Sequence, residues 1–136
     1  MDRLIEMLIR HEGLRLKPYT DTMGKLTVGV GRNLDDVGIT PEEALFLLRN
    51  DIANVTHDVK RSFPWFERMN QPRQNVVLNM VFNLGLIRFL GFKKTIEAIK
   101  GKNWDMAAKE MLDSRWAVQV GNRAKELAKI MKTGKF

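Results

Sequence analysis

Glycines divide residues 12–33 into a helix end, a hairpin and a returning strand, and this pattern constrains the N-terminal part of the fold more than any other feature. Apolar residues at helical spacing precede Glu12, and Gly13 is a natural helix stop. Glu12 is therefore predicted to lie at the end of a helix, with its side chain projecting past it. Two strands are predicted to follow, over residues 15–21 and 25–33.

The length of the loop between these strands decides which side chains share a face. A three-residue loop ending at Gly24 pairs Asp21 with Lys25 and puts Asp21 and Thr27 diagonally on one face, about 7–8 Å apart. A two-residue loop would put Asp21 and Thr27 on opposite faces. Because a glycine in the third loop position supplies the positive φ needed there, the three-residue loop is favoured.

In that register the returning strand has one apolar face, predicted to face the core, and one face of hydroxyl and glycine, predicted to be open to a ligand. The apolar face consists of Leu26, Val28 and Val30, and the open face of Thr27, Gly29 and Gly31.

Glu12 and Asp21 are predicted to lie apart from each other over the open face. Glycoside hydrolysis uses two carboxylates that flank the scissile bond, and these two residues supply that pair. The residues alone leave a structural alternative open. An acid near a helix end is commonly a solvated charge, and an Asp before a hairpin glycine commonly belongs to the turn.

The rest of the chain is predicted to be mostly helical. The sequence T-P-E-E at residues 40–43 combines an N-cap, a proline at the first helical position and a capping-box glutamate, and it opens a helix that runs to about Arg61. At about twenty residues this helix spans roughly 30 Å, which indicates a connector. Residues 62–70 are predicted to be a turn with buried aromatics. Residues 71–84 leave almost no polar face and are predicted to be a central buried helix. Two further helices are predicted to be capped by Asn103 and Asn122.

Charge is distributed unevenly along the 136 residues. Residues 1–85 carry eleven basic and eleven acidic residues, whereas residues 86–136 carry twelve basic and five acidic residues and so the whole net charge of +7. A one-sided positive field attracts polyanions such as nucleic acid, an anionic membrane or an anionic cell wall.

The absence of cysteine excludes disulfides and metal–thiolate sites. The charged first ten residues predict neither a signal peptide nor a membrane span, and hence a chain that folds in the cytoplasm.

Several motifs occur in an order that is typical of one family. They are E-x8-D-x5-T formed by Glu12, Asp21 and Thr27, T-V-G-V-G at 27–31, N-M-V-F-N-L-G at 79–85, G-F at 91–92, W-D-x-A-A at 104–108, S-R-W at 114–116 and N-R-A-K at 122–125. By these residues the chain resembles the T-even bacteriophage type of lysozyme, phage endolysins of glycoside hydrolase family 24. The resemblance covers nearly the whole chain.

This resemblance implies a mainly helical α+β, lysozyme-like fold forming a single domain with two lobes. The small β-hairpin N-terminal lobe would span about residues 1–40, a long connecting helix about 41–61, and the helical C-terminal lobe about 62–136, with the active site between the lobes. Relative to longer members the chain lacks a helix between Leu34 and Ile39, which predicts a smaller N-terminal lobe.

The resemblance also implies hydrolysis of the β-1,4 linkage between N-acetylmuramic acid and N-acetylglucosamine in peptidoglycan. Glu12 would be the general acid, Asp21 the general base of an inverting mechanism, and Thr27 the residue that holds the attacking water. The positions that carry over as substrate contacts are Gly31, Phe82, Asn83, Phe92, Thr95, Gln119 and Arg123. Core packing is an equal alternative for the two phenylalanines.

Two positions invite a structural prediction. Arg32 stands where the family often has a histidine, and Asp51 aligns with the usual acidic partner of that histidine. The sequence therefore predicts an ion pair between Arg32 and Asp51 that ties the hairpin to the long helix. Arg123 aligns with a family arginine that approaches the catalytic acid, which would oppose the high pKa that a general acid needs.

Rival functions come from other classes. A lytic transglycosylase acts on the same bond with one acid and no hydrolytic water, and a basic nucleic-acid-binding helical module would account for the charge but not for the two acids. A non-catalytic wall binder is a third alternative.

No cofactor or metal is predicted. The predicted partners are peptidoglycan glycan strands and the anionic wall surface, without stable membrane insertion, for a monomer. The family implies holin-dependent release from the host cytoplasm to the periplasm and cell wall.

Overall fold

The structure, a computed structural model, describes residues 2–136 and confirms a mainly helical α+β fold with a small antiparallel sheet. The elements are α1 (Asp2–Glu12), β1 (Arg15–Thr20), β2 (Leu26–Gly29), β3 (Arg32–Asn33), α2 (Pro41–Ser62), a single 3-10 turn (Phe66–Arg68), α3 (Gln71–Leu84), α4 (Leu86–Leu90), α5 (Lys93–Lys100), α6 (Trp104–Leu112), α7 (Arg115–Val120) and α8 (Asn122–Thr133). The chain divides into an N-terminal unit up to Leu47 and a C-terminal unit over Leu48–Phe136, so the boundary falls within α2.

The hairpin has the register predicted from its glycine. Thr20 pairs with Leu26, the Asp21 N–H donates to the Lys25 carbonyl over 2.9 Å, and Gly24 has φ +77°. This is the three-residue loop, and it puts Asp21 and Thr27 on the same face of the sheet. Helix α1 also ends as predicted. Gly13 has φ +82°, and its N–H donates the last hydrogen bond of the helix to the Ile9 carbonyl over 2.8 Å.

The returning strand differs from the prediction in two ways. It is broken into β2 and β3 by a second turn, in which Gly29 and Gly31 have φ +69° and +68°. Burial is also reversed along β2, since Thr27 is 3% exposed and Leu26 is 41% exposed. Thr27 lies on the central strand between Tyr19 and Asn33, which cover it from both sides, whereas Leu26 begins the strand.

The capping box that opens α2 is confirmed. Glu43 Oε1 accepts a hydrogen bond from the Thr40 N–H over 2.9 Å, and Thr40 Oγ1 accepts one from the Glu43 N–H over 3.1 Å. The two bonds satisfy backbone donors that a helix start leaves without partners.

The C-terminal unit contains the principal hydrophobic core. Helix α3 has the predicted bounds, and Val76, Val77 and Met80 on it are fully buried. Residues 62–70 form the predicted turn with buried aromatics, including Phe66 at 1% exposure. Within residues 2–136, none of the helices has the length and apolar character that spanning a bilayer requires.

The two predicted asparagine caps have different outcomes. Asn103 caps α6, with its side chain accepting from the Met106 N–H. The cap predicted at Asn122 is wrong, because α8 begins one residue earlier than expected. Gly121, at φ +58°, is the N-cap and Asn122 is the first helical residue.

Candidate active site

Glu12 lies at the C-terminal end of α1, with its carboxylate against Gly31 in the second turn of the sheet. A Cβ atom at Gly31 would lie 3.1 Å from Glu12 Oε2. Glycine suits both the positive φ of this turn and the close approach of the carboxylate, because a side chain here would be strained and would push the Glu12 carboxylate away. The structure thus brings together two residues that the sequence singled out separately.

Asp21 is held by its own turn through one of its two carboxylate oxygens. Oδ1 accepts hydrogen bonds from the Met23 and Lys25 N–H groups, each over 2.8 Å. Within the part of the chain that the structure describes, Oδ2 makes no hydrogen bond. The carboxylate is therefore anchored at one oxygen and open at the other, so the turn role and the catalytic role are compatible in one residue.

Thr27 is oriented by the same residue that anchors Asp21. Its Oγ1 donates to the Lys25 carbonyl over 2.9 Å. Because a carbonyl only accepts, the hydroxyl proton is committed to Lys25 and the oxygen lone pairs are left to accept from another donor. A water molecule that donates one proton to Asp21 and one to Thr27 matches these two acceptors.

Arg32 pairs with Glu43 and not with Asp51, which corrects the ion pair predicted from the sequence. Its two terminal nitrogens each lie 2.9 Å from a Glu43 carboxylate oxygen, and Nη1 also donates to the Gly38 carbonyl over 3.0 Å. The physical reason is that Glu43, in the first turn of α2, presents both oxygens in the geometry a guanidinium prefers. The pair follows directly after Gly31 and holds the second turn to the start of α2.

The Glu43 carboxylate is stabilised in its ionised form. The hydrogen bonds from Arg32, then from the Thr40 backbone, lower the pKa of Glu43 to about 2. A carboxyl whose pKa is lower in the folded than in the unfolded state stabilises the folded protein when it is ionised. For Glu43 this stabilisation is complete above the unfolded-state pKa of about 4.3. It is lost as the pH falls toward the folded-state pKa of about 2.

We therefore expect Glu43→Gln to be less stable than the parent at pH 7, with the difference shrinking between about pH 4.5 and pH 2. Urea denaturation at several pH values measures it. Glu42→Gln is the matched control, since Glu42 is the neighbouring exposed glutamate in the same helical turn. A gap between Glu43→Gln and the parent that stays constant down to pH 2 would contradict the ion pair.

A second prediction concerns the glycine beside Glu12. Gly31→Ala adds a methyl group at positive φ and against the Glu12 carboxylate, so we expect a loss of about 1–2 kcal/mol in stability and a fall in activity. Gly29→Ala is the control: it has the same kind of φ, but nothing lies within 4 Å of its Cβ position. Both variants should lose similar stability by thermal denaturation, and only Gly31→Ala should lose activity per folded molecule. Equal activity losses would argue against a role for the contact.

In the C-terminal unit, three predicted substrate contacts line one cavity of about 480 Å³: Phe92, Thr95 and Gln119. Thr95 is only 2% exposed. The cavity rim is rich in charge and includes Arg88, Lys93, Lys94, Glu110, Asp113 and Arg115.

Two other predicted contacts, Phe82 and Arg123, line a separate cavity of about 440 Å³. Phe82 is 46% exposed and so is not a core residue. Arg123 donates through Nε and Nη2 to Asn79 Oδ1, over 3.0 and 2.7 Å. Asn83 uses its side-chain oxygen to accept from Trp116 Nε1 over 2.9 Å, which leaves its amide group as a donor.

Sequence reasoning missed the partner of Arg32 and the polar turn at residues 33–36, which contacts the start of β2. Sequence reasoning also missed the turn between β2 and β3, for which the spacing of Gly29 and Gly31 was the available signal, because two glycines flanking one residue permit a tight reversal with positive φ.

Comparison with known proteins agrees with this fold. The family model described as phage lysozyme matches residues 9–132. The chain is 31% identical to the pre-baseplate central spike protein Gp5 of Enterobacteria phage T4, over 96% of this chain and 28% of that protein. It is 28% identical to the probable T4-type lysozyme 1 of Dictyostelium discoideum, over 95% of this chain and 93% of that protein. An endolysin of Acyrthosiphon pisum secondary endosymbiont phage 1 is 37% identical over 61% of this chain and 58% of its own length.

The fold and the family model together place the chain among the lysozymes. More narrowly, the chain belongs to the phage lysozyme family, a family of muramidase-type peptidoglycan hydrolases. It spans less than a third of the phage T4 spike protein that it matches. The alignments with that protein and with the Dictyostelium lysozyme, at 159 and 158 positions, are longer than this chain of 136 residues, so those relatives carry segments that it lacks. Between Leu34 and Val37 the chain has a turn and no helix.

Proposed function

We propose that the protein hydrolyses the β-1,4 bond between N-acetylmuramic acid and N-acetylglucosamine, with Glu12 as general acid and Asp21 as general base. Membership of the phage lysozyme family supports the substrate class. One observation carries the assignment of the base: Asp21 and Thr27 are anchored to the same residue, Lys25, and each keeps an acceptor on the same face of the sheet.

The proposed reaction is a single displacement. A water molecule donates hydrogen bonds to Asp21 Oδ2 and Thr27 Oγ1 and attacks the anomeric carbon of the muramic acid residue. Asp21 takes the proton of the water, while Glu12 gives its proton to the leaving oxygen of N-acetylglucosamine. Since the water attacks from the face opposite to the leaving group, the configuration at the anomeric carbon inverts.

Apart from Gly31, the proposed sugar contacts lie in the C-terminal unit. We assign the Thr95 hydroxyl and the Gln119 amide to polar sugar groups, and the half-buried ring of Phe92 to an apolar sugar face. Arg123 is proposed to act on substrate. Its guanidinium is held by the neutral amide of Asn79, so its positive charge is not cancelled by that contact.

The proposed biological setting is supported by the resemblance to the family rather than by the site. We propose a monomeric endolysin that acts on peptidoglycan at the anionic wall, reaches it from the host cytoplasm with the help of a holin, and works without a cofactor. The basic C-terminal half, with its net charge of +7, is suited to an anionic polymer.

Product analysis tests the proposed reaction against lytic transglycosylation. Purified peptidoglycan is digested with the protein, and the fragments are identified by mass spectrometry. Hydrolysis yields reducing muramic acid ends that carry the elements of one water molecule. Anhydro-muramic acid ends would instead assign the protein to the transglycosylases.

A further inference from the structure

The turn at residues 33–36, called here the clamp turn, binds both backbone polar groups of Leu26, its N–H and its carbonyl. Asp35 Oδ2 accepts a hydrogen bond from the Leu26 N–H over 2.7 Å, and the Leu34 N–H donates to the Leu26 carbonyl over 2.7 Å. Leu26 is the first residue of β2 and immediately precedes Thr27. The contacts therefore fix the backbone on which the proposed water-holding hydroxyl stands.

The Asp35 carboxylate takes the place of a missing strand carbonyl. Strand β3 consists of Arg32 and Asn33 only, so the ladder ends before it reaches the Leu26 N–H. An unpaired N–H at that position would leave the start of β2 free to move. The carboxylate of Asp35 supplies a charged acceptor in its place, and charge-assisted bonds are stronger than neutral ones.

The clamp turn is braced internally, so Asp35 is presented on an ordered loop. Asn33 Oδ1 accepts from the Asp36 N–H over 2.9 Å, and Asn33 Nδ2 donates to Asp36 Oδ2 over 3.0 Å. Asp36 Oδ1 also lies 3.2 Å from Lys25 Nζ, but both of those side chains are about half exposed. Exposed pairs of this kind contribute little, so the Leu26 contact is the one that matters.

We propose that Asp35 is a positioning residue for the hydrolytic reaction, acting through Leu26 on the spacing between Asp21 and Thr27. The two acceptors are joined through the backbone of Lys25, which bonds Asp21 through its N–H and Thr27 through its carbonyl. Leu26 is the next residue, and Asp35 restrains its N–H. This inference rests on the proposed function, since it assigns Asp35 a role in placing the attacking water.

The test is the steady-state hydrolysis of soluble peptidoglycan oligomers by three variants. Asp35→Ala should lower kcat about tenfold or more, because small displacements of reacting groups are costly, with KM changed by less than about twofold. Asp35→Asn should recover most of kcat, since the amide oxygen still accepts from Leu26. Asp36→Asn is the matched control on the neighbouring aspartate: its amide oxygen can still accept from Asn33 Nδ2 and only the charge is lost, so it should stay within about twofold of the parent.

A double-mutant cycle with Thr27→Ala separates positioning from a general loss of structure. If Asp35 acts through Thr27, Asp35→Ala should reduce kcat much less when Thr27 is already alanine. Equal fold-losses in both backgrounds overturn the proposal. It is also overturned if Asp35→Ala retains the parent kcat, or if Asp36→Asn is as damaging as Asp35→Ala.

Two further measurements complete the test. Should Asp35→Ala not fold, Asp35→Ser takes its place, because serine lacks the carboxylate oxygen that accepts from the Leu26 N–H: a fall in kcat supports positioning, and the full parental kcat refutes it. Asp21→Asn is run alongside. An inactive Asp21→Asn with a parent-like Asp35→Ala refutes this inference alone, whereas a fully active Asp21→Asn refutes the proposed function as well.

Discussion

Replacing Glu12 with glutamine is expected to abolish lysis of the cell wall and leave the fold intact. Glutamine has the shape of glutamate but no proton to give to the leaving oxygen, and a general acid contributes about 10²–10⁴-fold to such reactions. Glu12 is exposed at the end of α1, so the substitution removes no buried contact. The clearing rate of a suspension of purified peptidoglycan measures the effect, and circular dichroism checks the fold.

Glu6→Gln is the matched control for this experiment. Glu6 lies on the same helix and is likewise exposed, and it carries the same charge. It should clear peptidoglycan at nearly the parental rate. A Glu12→Gln protein that retains substantial activity would overturn the assignment of the general acid.

Asp21→Asn is expected to cause a second loss of about 10²–10⁴-fold, for the opposite reason. The asparagine oxygen can still accept from the Met23 and Lys25 N–H groups, which keeps the turn in place. The group at the position of Oδ2 becomes an amide, which no longer takes a proton from water. The rate on peptidoglycan measures the loss. Asp36→Asn, on a nearby loop aspartate, should remain within about twofold of the parent.

A substrate with a better leaving group distinguishes the two acids. A muramyl glycoside whose leaving group is fluoride needs no proton from the enzyme, so it should restore much of the activity of Glu12→Gln. It should not rescue Asp21→Asn, because the water still lacks its base. Rescue of Asp21→Asn alone would reverse the two proposed roles. Rescue of both variants would remove the proposed distinction between them.

The parts of the fold that depend on local chemistry could be predicted from the sequence. Gly24 favoured the three-residue hairpin loop because it stands in the third loop position, where φ is positive. The T-P-E-E segment at residues 40–43 located the start of α2, and the nearly continuous apolar pattern of residues 71–84 located α3. In each case a few neighbouring residues determine the outcome.

The parts that depend on three-dimensional geometry were predicted wrongly. The partner of Arg32 is Glu43, because the side chains meet only once the second turn and the first turn of α2 are in place. The sequence predicted Asp51 because it aligns with the acidic partner usual in the family. An alignment does not give the distance between two side chains. Gly29 and Gly31 were taken to form an open face of one strand, whereas their positive φ ends β2 and starts β3.

The members of the candidate site come from the sequence and the resemblance, and the structure adds the hydrogen bonds that hold them. Nothing in the sequence indicates that Asp21 is anchored through one oxygen, or that the proton of the Thr27 hydroxyl is committed to Lys25. These details support the proposal that Asp21 and Thr27 hold a water molecule. The roles of Glu12 and Asp21 remain proposals, which the geometry and the family support.

The configuration of the newly formed reducing end tests the central claim most directly. Peptidoglycan oligomers are digested with the parent protein, and proton NMR spectra are recorded before the anomers equilibrate. A water activated by Asp21 and attacking opposite the leaving group predicts that the α-anomer of N-acetylmuramic acid appears first. First appearance of the β-anomer would mean a covalent or otherwise retaining mechanism and would contradict the account.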